Sequence, residues 1–303
     1  LANLGFSCPI FISQNDGTLM NAHFVRQYPA LTFASGPTNS LCGAFKLTGL
    51  ENAIVVDIGG TTSDIGVLQN GFPRQSNIVV DIGGVRTNFR MPDIRAIGLG
   101  GGSYVSDNGR EIGPQSCGYK LIEQAKVFGG DRLTTTDIAV AMGALTIGKA
   151  ERVLDLPKQL IQQTTQRITQ ILDHNIDMMK PNADPMPVIL VGGGAALVQG
   201  ELACASEVIK PEHSGVANAI GAAIAQVGGE AESMHSYSGL GREQAIAMVI
   251  DEAEQRAVTA GARRSSLQVT EIEENEVPYM DGDMHKIRVK VVGDLASLNA
   301  AKV

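Results

Sequence analysis

The segment VVDIGGTTSDIGVL, Val55 to Leu68, constrains the fold of this chain more than any other stretch. An apolar run stops at two adjacent glycines, a pair of threonines follows, and a second apolar run returns. That order specifies a buried hairpin closed by a tight glycine turn. The hexapeptide VVDIGG occurs again at Val79 to Gly84, 24 residues later. Only the first copy continues into the hydroxyls of Thr61, Thr62 and Ser63 and a second acid, Asp64. The second runs on into Val85 and Arg86. The first copy is therefore expected to do chemistry and the second to be architectural, its strand pairing beside the first and Asp81 capping or bonding locally.

The chemistry expected of the first copy follows from residue types. Gly59 and Gly60 let successive backbone N–H groups converge on an anion, and Thr61 and Thr62 add donors that carry no repelling charge. Asp57 and Asp64 would repel a bare phosphate but can hold Mg²⁺ or its waters, which favours a metal-bound nucleotide. On spacing alone, a plain hairpin in which Asp and Gly serve only geometry remains the competing reading. Two further glycine turns stand out. AIGLGGGSYV offers Gly100, Gly101, Gly102 and the hydroxyl of Ser103, as a ligand contact or a flexible corner. VILVGGGAAL places Gly192, Gly193 and Gly194 after a buried strand and before a helical run, where open α/β sheets form ligand crevices; a tight corner is the alternative. Upstream, FASGPTNSLCGAFKLTG reads as a helix opening at Gly36 and Pro37, with Ser40, Gly43 and Ala44 allowing close approach; its N-terminal N–H groups facing an anion and close packing against the glycine-rich sheet are the two readings.

The rest of the chain orders itself around these turns. AIVVDIGG, DIGVLQNG and SNIVVDIGG read as a three-stranded antiparallel meander. From Pro157, Leu160, Ile161, Ile168, Ile171, Leu172, Ile176 and Met179 share one helical face. The strand PVILV and an Ala/Gly-rich helix within VANAIGAAIAQVGG follow. After GGEAESMHSYSG the character shifts to an amphipathic helix and the strand KIRVKVVGDL, where Ile287, Val289 and Val291 alternate with Lys286, Arg288 and Lys290. The expected division is a nucleotide-binding domain over residues 1–235 and a small α+β appendage over 236–303.

Composition narrows the partners. A net charge of −8 without a basic run repels a phosphate backbone, so nucleic acid is not expected. The longest apolar stretches are broken by glycines and fall short of the roughly 20 residues of a spanning helix, so no membrane segment is expected. Cys8, Cys42, Cys117 and Cys204 lack paired spacing and read as reduced, mostly buried thiols of a cytoplasmic protein. The five histidines show no metal-ligand spacing, and no G-x-S-x-G elbow is present. The chain opens on Leu1 inside what already reads as a folded unit, so a longer parent chain is expected.

Taken in order, VVDIGGTTSDIGVL, AIGLGGGSYV, DRLTTTDIAVAMG, VILVGGGAAL and PEHSGVANAIGAA resemble the hydantoinase/oxoprolinase family, which includes N-methylhydantoinase and 5-oxoprolinase subunits and acetone and acetophenone carboxylase subunits. The resemblance implies an α/β fold, a ribonuclease H-like domain of the actin, sugar-kinase and heat-shock ATPase type. It implies that Asp57, Gly59, Gly60, Thr61, Thr62 and Asp64 form a phosphate loop for ATP and Mg²⁺, that Asp57 and Asp64 are both catalytic and metal-organising, and that Gly192, Gly193 and Gly194 lie beside the adenosine. Gly101, Gly102 and Ser103 join the expected cofactor-binding set. The implied activity is ATP-dependent hydrolysis of a cyclic amide of hydantoin or 5-oxoproline type through phosphoryl activation of its carbonyl. Family members carry a second D-x-G-G-T-x-T-D segment in an N-terminal domain, and this chain has none. A missing domain or partner subunit, and an oligomer, are therefore expected. After GPQSCGY the family's Pro- and Gly-rich segment gives way to KLIEQAKVFGGDRL, which leaves the substrate side open. A non-catalytic nucleotide- or partner-binding subunit and a small-molecule kinase of the same fold are the alternative readings.

Overall fold

The computed structural model describes residues 2–5, 8–76, 81–82, 84–86, 91–278 and 283–296. Two compact units are present: residues 36–224, and residues 1–35 together with 225–303.

The first unit is built on one sheet. Helix α1 (Ser35–Thr48) leads into strands β1 (Ala53–Ile58) and β2 (Ser63–Gln69), followed by β3 (Ile94–Ile97), helices α2 (Thr135–Ala141) and α3 (Lys158–Asp177), strands β4 (Met186–Val191) and β5 (Ala205–Ile209), and helix α4 (Ala217–Ile224). The spatial order is β3-β2-β1-β4-β5. The first three strands pair antiparallel, and β4 and β5 run parallel to β1. This 3-2-1-4-5 order is that of a ribonuclease H-like domain. Both faces are covered. Ile54, Val56, Ile58, Ile65 and Val67 pack with Ile168, Leu172 and Ile176 of α3, while Ala53, Val55, Ile189 and Val191 pack with Leu41, Ala44 and Ala217 of α1 and α4. Burial on both faces explains why AIVVDI is an unbroken apolar run rather than an alternating one. The expected α3 face is buried at Ile168, Leu172, Ile176 and Met179.

The expected third strand of the meander is corrected. Both edges of β1 are occupied, by β2 and β4, and the place beside β2 is taken by β3. The second VVDIGG copy therefore cannot pair beside the first. Its Asp81–Ile82 instead pairs with Val85–Arg86 in a separate two-stranded ribbon; Val79, Val80 and Gly83 lie outside the described residues. The local pattern of an apolar run ending in glycines is the same in both copies, and only occupancy of the sheet edges separates them.

The second unit holds a five-stranded sheet of Phe11–Ser13, Leu19–Asn21, β6 (Val227–Ser236), β8 (Met284–Gly293) and β7 (Gln268–Glu276), in that spatial order. Helix α5 (Arg242–Ala260) packs on it through Ala245, Val249, Ala253 and Ala257 against Val227, Ala231, Ile287, Val289 and Val291. Gly229 admits the helix, since a Cβ there would collide with the Ala253 carbonyl. Arg288 is 8% exposed and is held by Glu230 at 2.6 Å, with Glu271 and Glu273 at 3.4 and 3.5 Å. The composition shift read at 235/236 falls at the end of β6, and the first 35 residues join this unit rather than the other. Small inward residues at Gly229 and Ala231 hide the strand's alternation from a hydropathy reading. Among the described residues, no helix is long and apolar enough to cross a membrane.

Candidate functional site

The carboxyl ends of the parallel strands β1 and β4 lie side by side, with Val191 in register with Asp57. The chain turns sharply after each. After β1, residues Gly59 to Thr62 close the hairpin, with Gly59 N–H donating to Thr62 O at 2.9 Å. After β4, Gly192 takes a φ of 83°, and a Cβ there would overlap Oδ1 of Asp57. Gly194 N–H donates to Ile58 O at 2.8 Å, and a Cβ at Gly194 would stand 2.5 Å from Cγ2 of Ile58. Gly192 and Gly194 thus let the two turns touch. Gly193 points into open space and is exposed.

The third glycine turn braces the hairpin from behind. Gly101 N–H donates to Gly59 O at 2.9 Å and Gly102 N–H to Gly60 O at 2.6 Å. A Cβ on Gly100 would lie 2.6 Å from Thr61 N. Ser103 is fully buried, its Oγ accepting from Gly100 N–H at 2.9 Å. Behind it, the hydroxyls of Thr135 and Thr136 donate to Gly100 O and Gly101 O at 2.5 and 2.7 Å. These threonines open α2, where Thr134 and Asp137 form a capping box and the buried Asp137 carboxylate also accepts from Val127 N–H at 2.7 Å. Ser63 Oγ donates to Leu99 O at 2.6 Å. Gly101 and Gly102 thus spend their N–H groups on the hairpin, and Ser103 spends its hydroxyl on Gly100. Gly60, Thr61 and Thr62 are left exposed.

Asp57 and Asp64 face each other across β1 and β2, a register that puts both side chains on one face. Burial, and after it the Asp57 charge, holds the Asp64 carboxyl above the ordinary carboxylate range. Ser40 Oγ donates to Asp57 Oδ2 at 2.5 Å, and Asn218 Nδ2 donates to Ser40 Oγ at 3.3 Å and to Gly36 O at 2.8 Å. Two neighbouring carboxylates at a site open to solvent fit Mg²⁺, which keeps several of its waters and needs few protein ligands. Among the described residues, no group of three or more His, Cys, Asp or Glu side chains could enclose a metal. Beside the threonines runs a turn, Gly118–Lys120, in which a Cβ on Gly118 would stand 3.9 Å from Thr61 Oγ1. It carries the 89% exposed Tyr119.

In the sequence Ser40 reads only as a small packing residue, and Asn218, Thr135 and Thr136 do not stand out. The capping-box spacing of TTTD was a readable signal for the start of α2. The cysteine expectation is corrected: Cys117 is buried, donating to Gly102 O at 3.3 Å, but Cys42 and Cys204 are half-buried and Cys8 is exposed. Burial and the neighbouring Asp173 push the Cys204 thiol up to about 12.

The family model described as hydantoinase/oxoprolinase matches residues 1–149. By sequence, caprolactamase subunit alpha of Pseudomonas jessenii is 31% identical over 154 residues, 48% of this chain and 22% of that one. By structure, the ATP-dependent caprolactamase of P. jessenii superimposes with a TM-score of 0.71 at 17% identity, over 97% of this chain and 54% of that one. The nucleotide-free acetone carboxylase, described in connection with ATP-dependent acetone carboxylation, gives 0.69 at 15% identity, over 98% and 54%. This chain thus spans little more than half the length of the solved chains it matches. Residues 1–149 of this protein thus match the hydantoinase/oxoprolinase family model, and the chain shares the fold of these two enzymes.

Proposed function

We propose that this chain carries part of the ATP site of an enzyme that opens a cyclic amide by phosphorylating its carbonyl oxygen. The observation that carries the reading is the exposed Gly60–Thr62 turn standing over the Asp57 and Asp64 pair and braced from behind by the Gly100–Gly102 turn. In this reading, the N–H groups of the turn and the hydroxyls of Thr61 and Thr62 hold the phosphate oxygens. Gly193, with nothing close to it, faces the nucleoside side. Asp57 and Asp64 would hold Mg²⁺ through its waters, and the ion would neutralise charge on the triphosphate. The γ-phosphoryl group passes to the amide oxygen and ADP leaves. Water then adds to the activated carbon, the ring C–N bond breaks with the nitrogen taking a proton, and a second water releases phosphate from the resulting acyl phosphate. No protein nucleophile is required, in keeping with a site made of glycine, hydroxyl and carboxylate.

The related caprolactamase supports the choice of a cyclic amide. One glycine-threonine loop supplies one side of a phosphate clamp, so the reading includes a further domain or partner subunit that supplies the other. That assembly is also where a nucleotide-binding subunit without turnover would act. The test is turnover in the complete assembly with Thr61→Ala/Thr62→Ala: loss of ATP-dependent ring opening is expected, and unchanged turnover removes the assignment. A stable phosphorylated product with no ring opening would instead identify a kinase.

A further inference from the structure

We infer that Ser40 and Asn218 are positioning residues for Asp57, a hydrogen-bond relay that sets the carboxylate's orientation toward the nucleotide-bound cation. The inference rests on the ATP reading above and goes beyond it, because neither residue belongs to the turn itself. Ser40 is fully buried on α1, and its hydroxyl donates to Oδ2 of Asp57 at 2.5 Å. A hydroxyl has one proton and can point it several ways. Here the Asn218 amide settles the direction. Gly36 O can only accept, so the Asn218 atom 2.8 Å from it is the NH₂ group, and the same NH₂ donates to Ser40 Oγ at 3.3 Å. With Ser40 oxygen accepting on that side, its proton is directed at the carboxylate.

A Cβ on residue 192 would overlap Oδ1 of Asp57, so glycine at 192 leaves room for that oxygen. The helices that carry the relay are themselves clamped. A Cβ on Gly43 of α1 would collide with the Ala217 carbonyl of α4, and one on Gly221 of α4 with the Asn39 carbonyl of α1. The two backbones therefore approach as closely as glycine allows, which brings Asn218 within reach of Ser40. A carboxylate already oriented by the Ser40 hydroxyl meets a cation with less ordering cost. Asn218 is exposed on α4, so its amide can be removed without opening the core.

The experiment is calorimetric titration of the full-length protein in its complete assembly with ATP, across a Mg²⁺ series and in EDTA, with thermal unfolding as a control. Asn218→Ala is expected to raise the Mg²⁺ concentration for half-maximal ATP binding by about 3- to 10-fold, the worth of one hydrogen bond. Ser40→Ala should raise it further. Binding in EDTA and the melting temperature of Asn218→Ala should stay at parental values, and Asn218→Gln, which keeps the amide donor, should recover part of the loss. Parental Mg²⁺ dependence in Asn218→Ala, or an equal loss in EDTA, overturns the relay even if Ser40→Ala fails to fold. A parent protein that binds no Mg-ATP at all overturns the ATP reading and the relay with it, an outcome the parental titration separates from failure of the relay alone.

Discussion

Gly100 to Gly102 and Gly192 to Gly194 are both triple glycines beside the same hairpin, and they serve it differently. At the first, backbone meets backbone: Gly101 and Gly102 donate to the carbonyls of Gly59 and Gly60, and a Cβ on Gly100 would crowd Thr61 N at 2.6 Å. At the second, Gly192 and Gly194 lie against Asp57 and Ile58, while a Cβ on Gly193 between them would meet nothing within 4 Å. A glycine can be required because protein occupies the space of its side chain, or tolerated where nothing does. Only the second circumstance leaves room for a ligand.

Four variants break or sharpen that contrast, ordered by their expected effect on the folded state. Gly100→Ala should destabilise by about 2–3 kcal/mol, as overpacking against fixed backbone does, and should displace Thr61 so that ATP binding falls with it. Denaturant unfolding and calorimetry on the same sample would check this, and a loss below about 0.5 kcal/mol, the range of inert surface changes, would mean that the brace is loose.

Asp64→Asn should act in the opposite direction. The folded pKa of Asp64 lies above its ordinary 3.8, chiefly through burial and next through Asp57. The native state therefore binds this proton more tightly than the unfolded chain does. Stability falls as pH rises from the unfolded value through the raised folded one, and the full cost persists above it. Asparagine carries no charge, so the variant should melt about 1–3 °C higher near pH 7, with the gain fading below pH 4 or so as Asp64 is protonated in both states. Its Mg²⁺-dependent ATP binding should be lost. A melting temperature that rises equally at all pH values would rule out the charge as the cause.

Thr61→Ala/Thr62→Ala, on the exposed turn, should change stability by no more than about 0.5 kcal/mol while cutting ATP-dependent turnover by about 100-fold or more. Gly193→Ala should be the mildest for the fold, again within about 0.5 kcal/mol. Weaker ATP binding in that variant would place the nucleoside at this turn, and parental affinity would remove Gly193 from the site.

Much of this could be read from residues alone. The hairpin of β1 and β2, the amphipathic α3 and the buried β4 follow from hydropathy period and glycine punctuation, which are local properties. The third strand of the meander could not be read correctly, because VVDIGG is equally good as a strand at both of its occurrences. What excludes the second copy is that β2 and β4 already occupy both edges of β1. The strand β6 was concealed by Gly229 and Ala231, whose small size serves the approach of α5 and gives no apolar beat. At the site, Asp57, Asp64 and the threonines were legible as chemistry-bearing types near glycines. Ser40 and Asn218 were not, since they lie 17 residues before Asp57 and 161 after it and meet it only through the α1 and α4 contact.

The sequence by itself determined which segments turn, which are buried and which residue types could meet a phosphate, because φ freedom, hydropathy and side-chain charge belong to each residue or its near neighbours. Tertiary structure alone decided that Gly192 makes room for Asp57 while Gly100 is closed off by Thr61, and that a hydroxyl on one helix and an amide on another converge on one carboxylate. Those outcomes depend on which backbone arrives at a given point in space, and chain order does not record that.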